Sequence, residues 1–240
     1  MPARVRRVVS LVPSLTEAIA VTSPELLVGA TDWCTHPPDL EATRVGGTKN
    51  PDVRLIVDLR PDLVVANFEE NREPDLDALR AAGVPVWVTV VRTVPEAIAG
   101  LGRMLAACGL AEPPWLRAAA AVWRGEPPAP ARTAAVPIWR RPWMVLGRDT
   151  FAGDVLRRLG VANAYDDAAE RYPRTSVEEI VGRGPDLVVL PDEPYAFGPA
   201  DGPEAFPGLP VALVSGRYLE WYGPSLVAAR AVLTRQLGLA

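Results

Sequence analysis

The sequence predicts an α/β protein of two similar lobes, each a small parallel sheet with flanking helices, joined by a single connector helix. Three observations carry this prediction. The first is an internal repeat: Pro61-Asp62-Leu63-Val64-Val65 returns as Pro185-Asp186-Leu187-Val188-Val189, 124 residues later. Val53 and Val177, Ile56 and Ile180, Val57 and Val181, and Glu69 and Glu193 match at the same offset. Gly83-Val84-Pro85-Val86 answers Gly208-Leu209-Pro210-Val211 with the offset slipped to 125. A unit of this length is too long for a solenoid repeat and suits a lobe. The second observation is that short apolar stretches alternate with helical ones, the pattern of a parallel sheet covered on both faces. The third is the helical stretch 94–125 lying between the two copies. The expected boundaries are 1–93 for the first lobe, 94–126 for the connector and 127–240 for the second.

In the first lobe, residues 4–12 read as a buried strand. Ser14-Leu15-Thr16-Glu17 has the form of a capping box opening a helix. Ser23-Pro24-Glu25 starts a short helical turn, and residues 27–30 form a second strand. A loop, Thr31-Asp32-Trp33-Cys34-Thr35-His36-Pro37-Pro38, follows. A helix is expected over 52–59, a strand over 63–66, a helix over 75–82 and a strand over 86–90, with Trp87 in the core.

The connector contains a helix over 95–108, broken at Gly109, and a second that crosses to the other lobe. Pro113 and Pro114 sit in the first turn of that second helix, where proline is tolerated. Trp115 and Trp123, eight residues apart, fall near one face. In the second lobe, residues 133–139 and 143–147 read as strands joined by a turn at Arg140-Arg141-Pro142. Asp149 or Thr150 caps a helix to Gly160, and Ser176-Val177-Glu178-Glu179 is another capping box. Strands follow at 187–190 and 211–214, with a closing helix over 224–237. The loops 163–175 and 191–207 are rich in Pro, Gly and Asp.

Composition narrows the function. At 240 residues with a net charge of −4 and no basic stripe, no nucleic-acid partner is expected. Pro13, Ser14, Thr16 and Glu17 interrupt the apolar run near the amino terminus, so no export signal is read there. No run is long enough for membrane insertion, and the chain as it stands reads as cytoplasmic. Cys34 and Cys108 are too far apart to suggest a redox pair or a metal knuckle, and Cys108 reads as a core thiol. His36, the one histidine, lies two residues from Cys34; without a further ligand nearby the pair reads as a loop thiol and an exposed imidazole, and no metal site is expected.

Ligands of parallel sheets collect beyond the carboxyl ends of the strands. The residues found there form a series of aromatics, arginines and hydroxyls suited to a large, flat, partly apolar ligand. The candidate ligand-binding residues are Ser14, Trp33, Cys34 and Phe68 in the first lobe. In the second they are Arg140, Trp143, Tyr195, Arg217, Trp221 and Tyr222. Each also has a plainer reading. Trp33, Trp143 and Trp221 could pack under loops, Arg140 could belong to a solvated turn, and Ser14 could only cap its helix. No catalytic residue is assigned. A glycine-rich phosphate loop and a G-x-S-x-G elbow are both missing, and a single histidine argues against a Ser-His-Asp triad. The alternative is an enzyme on a doubly wound fold, acting on a small molecule with Asp149, Glu193 or Arg217 as acid–base groups.

Seven stretches together resemble the helical-backbone substrate-binding proteins of ABC importers, the binders of cobalamin, ferric siderophores and haem. In the first lobe these are RVVSLVPSLTEAIAV, LVGATDWCTHPP, RPDLVVANFEEN and GVPVWV; in the second, LGRDTFAGDVLRRLGVANAY, TSVEEIVGRGPDLVVLPDEPY and GRYLEWYGPS. The loop with Asp32, Cys34, Pro37 and Pro38 looks most like the cobalamin-binding branch. The resemblance implies non-catalytic binding of a corrinoid or other metal chelate in the cleft between lobes that move little. The chelate, cobalamin or a ferric chelate, would be a bound ligand and not a prosthetic group. The resemblance also implies an ABC permease partner, met by Glu73 and Glu204, and an extracytoplasmic location for most members.

Overall fold

A computed structural model of the chain describes residues 5–239, and the structural statements here concern those residues. Arg4, where the first strand is expected to begin, lies outside them. The chain divides into two compact units. One is built from the chain up to Val90, Ala97–Ala119 and Tyr222–Pro224; the other from Val91–Glu96, Ala120–Trp221 and the chain from Ser225 on.

The first unit runs β1 (Val8–Ser10), α1 (Pro13–Thr22), a 3-10 turn (Pro24–Leu26), β2 (Leu27–Ala30), β3 (Thr43–Arg44), β4 (Gly46–Gly47) and β5 (Asn50–Pro51). It continues with α2 (Val53–Asp58), β6 (Leu63–Asn67), α3 (Glu73–Ala81) and β7 (Val86–Thr89). Five strands make one parallel sheet in the order β3-β2-β1-β6-β7, and β4 and β5 form a separate antiparallel ribbon. The interior strand β6 is buried at all five residues, which is why its sequence is apolar without alternation. Below it Val9, Leu11, Ile56, Leu76 and Leu79 form the core.

Residues 94–126 hold α4 (Val94–Ala107) and α5 (Pro114–Val122), separated at Gly109, whose φ of +78° ends the first helix as glycine readily can. Trp115 donates its indole N–H to Thr22 Oγ1 at 3.0 Å in the first unit. Trp123 donates to the Leu226 carbonyl at 2.9 Å in the second.

The second unit runs β8 (Arg132–Ala135), β9 (Pro137–Arg140), β10 (Trp143–Val145), α6 (Phe151–Arg158), β11 (Val161–Asn163), α7 (Val177–Gly182) and β12 (Leu187–Pro191). It ends with β13 (Val211–Val214), α8 (Gly216–Glu220) and α9 (Leu226–Gln236). Its parallel sheet has the order β11-β8-β12-β13, and β9 and β10 make an antiparallel hairpin beside it.

The repeat is visible in the hydrogen bonds. Asp62 Oδ2 accepts the amides of Arg6 and Arg7 at 2.7 and 3.0 Å, ahead of β1. Asp186 Oδ2 accepts the amide of Thr133 in β8 at 2.8 Å. In return Asp62 N–H donates to Arg7 O and Asp186 N–H to Thr133 O, both at 2.8 Å. Val64 donates to Pro85 O and Val188 to Pro210 O, each at 2.9 Å, so the Gly-x-Pro-Val stretches start β7 and β13 in the same register. Gly83 and Gly208, at φ +80° and +84°, make the turn into those strands, a conformation that favours glycine. Asp52 caps α2 and Ser176 caps α7 in matching positions. The two PDLVV strands therefore occupy equivalent places, each between the first and last strand of its own unit's βαβ series.

Several expectations are corrected. Ser14 does not cap α1: Pro13 takes the first helical position, Val12 is the N-cap, and Ser14 lies buried inside the helix. Residues 133–139 are not one strand. Pro137 has no N–H to continue the parallel ladder, so the chain leaves the sheet there and pairs with β10 instead. Trp87 is only half-buried, because β7 is an edge strand. Of the two caps weighed for α6, Thr150 is the one used, its hydroxyl accepting from the Gly153 amide. β3, the β4–β5 ribbon, β11 and α8 are additional to the predicted elements. β3 is short, exposed and polar, and β11 is three residues long, so neither carries a periodic apolar signal.

Asp62 is half-buried and Asp186 exposed, yet a carboxylate accepting backbone N–H groups makes charge-assisted bonds, and losing it removes the partner of those donors. Asp62→Ala should lower unfolding stability by about 2 kcal/mol. Asp186→Ala should lower it by less, since Asp186 Oδ2 accepts one amide where Asp62 Oδ2 accepts two. Urea unfolding followed by circular dichroism measures both.

Candidate functional site

In the first unit, the carboxyl ends of the parallel strands carry two different surroundings. Between β1 and β6, where the strand order reverses, the crevice is filled by the chain itself. The Tyr222 ring is buried there, its hydroxyl facing the side chains of Thr89, Ser14 and Asn67. Burial pushes the Tyr222 phenol up from its ordinary pKa, against the pull of those hydrogen bonds. Gly223 follows, so close to the Ser14 carbonyl that an added Cβ would stand 3.0 Å from it. Ser14 and Tyr222 are thus brought together, each buried against the other.

Around this filled crevice lie exposed side chains. Trp33, after β2, is 66% exposed, and Phe68, after β6, is 60% exposed. Val90, after β7, is also exposed. β2 and β6 flank β1, so the loops that carry Trp33 and Phe68 leave the same edge of the sheet. Asn67 holds the loop after β6: its Oδ1 accepts the Glu69 and Glu70 amides at 2.7 and 3.2 Å. Asn71 braces the same loop, accepting the Asn67 amide and donating to the carbonyls of Leu11 and Thr48.

Cys34 is a loop thiol, as expected, but it is closed to solvent. It is fully buried, its sulfur 3.0 Å from Thr16 Oγ1 and 3.1 Å from Thr31 Oγ1. Arg44 donates to the carbonyls of Thr31 and Cys34, fixing the loop that presents Trp33. Burial raises the Cys34 thiol pKa, with hydrogen bonds from Thr16 and Thr31 opposing the rise. His36 is half-buried and its Nδ1 is 3.1 Å from Thr35 Oγ1. Among the described residues no group of three His, Cys, Asp or Glu side chains could hold a metal ion.

In the second unit, Arg140, Trp143 and Tyr195 come together in an aromatic cluster. Trp143 stacks on Phe197 with centroids 6.0 Å apart and meets Phe206 edge-on at 5.4 Å. Tyr195 lies 4.6 Å from Phe197 and takes Trp139 edge-on at 5.6 Å. Arg140 is held by Asp201 and Glu204 and lies 5.6 Å from the Trp143 ring. Tyr195 donates its hydroxyl to Asp201 Oδ2 at 2.7 Å. Glu204, proposed from resemblance as a docking carboxylate, thus pairs with Arg140 and also accepts the Gly202 amide, while staying half-exposed.

Arg217 and Trp221 form a second group. The guanidinium lies 5.3 Å from the Tyr218 ring and 5.9 Å from Trp221. The Trp221 indole donates to Glu193 Oε2 at 3.2 Å. Gly216 allows the Glu193 loop to close on α8, since an added Cβ would stand 2.3 Å from Glu193 Cγ and 2.9 Å from its carbonyl. Trp221 is only 8% exposed, so it is not an open loop residue: its ring is buried over Arg217 and beside Glu193.

The remaining predicted residue, Glu73, is exposed at the start of α3 and pairs with Arg80 at 2.9 Å. Sequence reasoning missed Trp139, which is 41% exposed beside Tyr195, and Asp201, which joins Arg140 to Tyr195. Trp139 lies within the stretch read as a single strand, where its two-residue spacing from Arg141 gave no reason to single it out. Asp201 sits in a loop with no periodic signal at all.

The geometry defines a class first. Two α/β units that share one strand scheme, each a parallel sheet with flanking helices, define the class of fold. No family model matches the chain. Among curated proteins it is similar to the vitamin B12-binding protein of Pectobacterium carotovorum, 24% identical over 246 residues, spanning 97% of this chain and 88% of the relative. Among solved structures it superposes on the periplasmic vitamin B12 binding protein BtuF of Vibrio cholerae with a TM-score of 0.79 and 21% identity, covering 98% of this chain and 97% of that one. The periplasmic heme-binding protein BhuT in complex with two hemes matches with a TM-score of 0.73 and 25% identity, over 96% and 97% of the two chains. The resemblance read from the sequence motifs is borne out, and so is the fold class. The relatives are named for binding and not for catalysis, which accords with a binding protein and not with the enzyme alternative. No described helix is long and apolar enough to cross a membrane.

Two outcomes follow from burial. Trp33→Ala should leave thermal stability near that of the parent, whereas Trp221→Ala should cost about 3 kcal/mol, as removal of a buried aromatic does; differential scanning calorimetry separates the two. Cys108, also buried, has its thiol pKa pushed up to about 11. Both thiols should therefore resist a disulfide exchange reagent at pH 8 in the folded protein and react promptly in guanidinium, since the thiolate is the nucleophile.

Proposed function

We propose that this protein binds a metal chelate with a flat macrocycle, a corrinoid or haem, and releases it unchanged. The observation that carries the reading is the exposure of Trp33 and Phe68 at the carboxyl ends of the first unit's strands. Large rings left open to water at the usual ligand edge of a parallel sheet are suited to covering a flat apolar surface. In the second unit Trp139, Trp143 and Tyr195 offer further aromatic surface, with Arg140 beside them. Arg140 supplies a cation for a carboxylate or phosphate group, in competition with Asp201 and Glu204. The names of the relatives, vitamin B12-binding and heme-binding, support this ligand class.

Of the ten residues first nominated, the burial favours a division of labour. Trp33, Phe68, Arg140, Trp143 and Tyr195 stay as ligand contacts. Ser14, Cys34, Trp221 and Tyr222 support the loops from within, and Arg217 braces Trp221. Delivery to an ABC permease is part of the same reading, with the exposed carboxylates of Glu73 and Glu204 meeting cationic groups of the partner. The solved relatives are periplasmic proteins, which supports an extracytoplasmic place of action over the cytoplasmic one.

Titration with cyanocobalamin, haemin and a ferric siderophore tests the ligand class. One of them should quench the tryptophan fluorescence saturably. Trp33→Ala should then weaken that ligand at least tenfold, about 1.4 kcal/mol, without unfolding the protein. A titration in which none of the three quenches, or in which Trp33→Ala binds like the parent, would sink the reading.

A further inference from the structure

Within the second unit, the ends of three helices converge on one buried ion pair. Asp154 and Arg158 stand one turn apart on α6 and are 6% and 8% exposed. Arg158 Nε donates to Asp154 Oδ2 at 2.8 Å. The same oxygen accepts the amide of Val94, the first residue of α4, at 2.8 Å. On its other side the Arg158 guanidinium donates from Nη1 to the carbonyls of Gly125 and Trp123, at 3.0 and 3.4 Å, just past the end of α5. Arg230 of α9 adds a bond to the Val122 carbonyl at 3.3 Å and lies 5.8 Å from the Trp123 ring. Trp123 closes the set through its indole N–H, which reaches the Leu226 carbonyl at the start of α9.

The chemistry suits each helix end. The first N–H groups of a helix and its last carbonyls have no partner inside the helix. A carboxylate stands at the amino end of α4 and guanidinium groups stand at the carboxyl end of α5, each with the sign the helix dipole favours. The sequence of α4 provides only the outer cap: Thr93 Oγ1 accepts the Glu96 amide and Glu96 Oε2 accepts the Thr93 amide. The buried amide of Val94 is left to Asp154. Arg157, more exposed, is a second partner of that carboxylate.

We infer that the Asp154–Arg158 pair is a positioning junction that fixes the start of α4, the end of α5 and, through Trp123, the start of α9 to helix α6. These are the segments at which the chain leaves this unit and returns to it. Held in one hydrogen-bonded group, they open and close together and not one by one. The junction lies outside the sheet and uses none of the proposed ligand contacts, so it stands whether or not the protein binds a chelate.

Site-resolved amide hydrogen exchange on the full chain tests this. Removing one partner of a buried pair leaves the other charge uncompensated, so Arg158→Met risks unfolding the unit. Asp154→Asn keeps the shape and an acceptor for Val94 while removing the charge, and Trp123→Phe removes the indole N–H with part of the ring while keeping an aromatic side chain. Asp154→Asn should speed exchange at least tenfold at Val94 and, because the junction is shared, also in the last turn of α5 and the first free amides of α9. Trp123→Phe should speed it in α9 and α5. In both variants the β12 amides should exchange as in the parent. Acceleration confined to Val94, a uniform rise that includes β12, or no change at any of the three helix ends would each overturn the inference.

Discussion

The interaction on which the structure rests is the bond between the aspartate of each Pro-Asp-Leu-Val-Val stretch and the backbone at the first strand of its unit. Asp62 and Asp186 hold their strands by two kinds of bond, the side chain accepting and the main-chain N–H donating. That fixes where β6 begins against β1, and β12 against β8. Because neighbouring side chains of a strand point to opposite faces, a slip of one residue would move every side chain of these doubly covered strands to the other face and into the wrong packing. The pinned register also decides which residues leave the sheet at its carboxyl edge. Phe68 bonds back to Thr89, and Asp192 to Val214, at the same place in each unit. The loops that carry the candidate ligand contacts begin there.

From that shared edge the two units diverge. The first keeps a polar brace of Asn67 and Asn71 under its loop and leaves Trp33 and Phe68 open to water. The second replaces the brace with Pro191 and a carboxylate loop. There Glu193 turns inward to the Trp221 indole, and the aromatics pack on one another around Arg140. The internal repeat gives the two units their common scaffold. The difference in what covers each edge is where a ligand preference can be written without disturbing either core.

Much of this was legible in the sequence, and the reasons are specific. The repeat exposed the paired strands because both are buried on two faces and so share an unbroken apolar run. The capping box at Ser176 and the helix break at Gly109 were readable because each needs a particular residue type. What sequence could not show was the direction of a side chain after a strand ends. Cys34 follows a strand as Trp33 and Phe68 do, and Trp221 and Tyr222 follow the short helix after β13, yet Cys34, Trp221 and Tyr222 are buried and Trp33 and Phe68 exposed. Their fates depend on contacts distant in sequence: Thr16 for Cys34, Glu193 for Trp221, and Ser14 with Thr89 for Tyr222. The charged partners of Arg140 and the junction at Arg158 were hidden for the same reason.

The central claim is that this two-unit scaffold holds a metal chelate and does not transform it. Equilibrium dialysis against cobalamin, haem and ferric chelates, followed by mass spectrometry of whatever the protein retains, puts that claim to its most direct test. The account predicts that one chelate is retained in stoichiometric amount and recovered with its mass unaltered. Retention of none of them, or recovery of a chemically changed product, would contradict it.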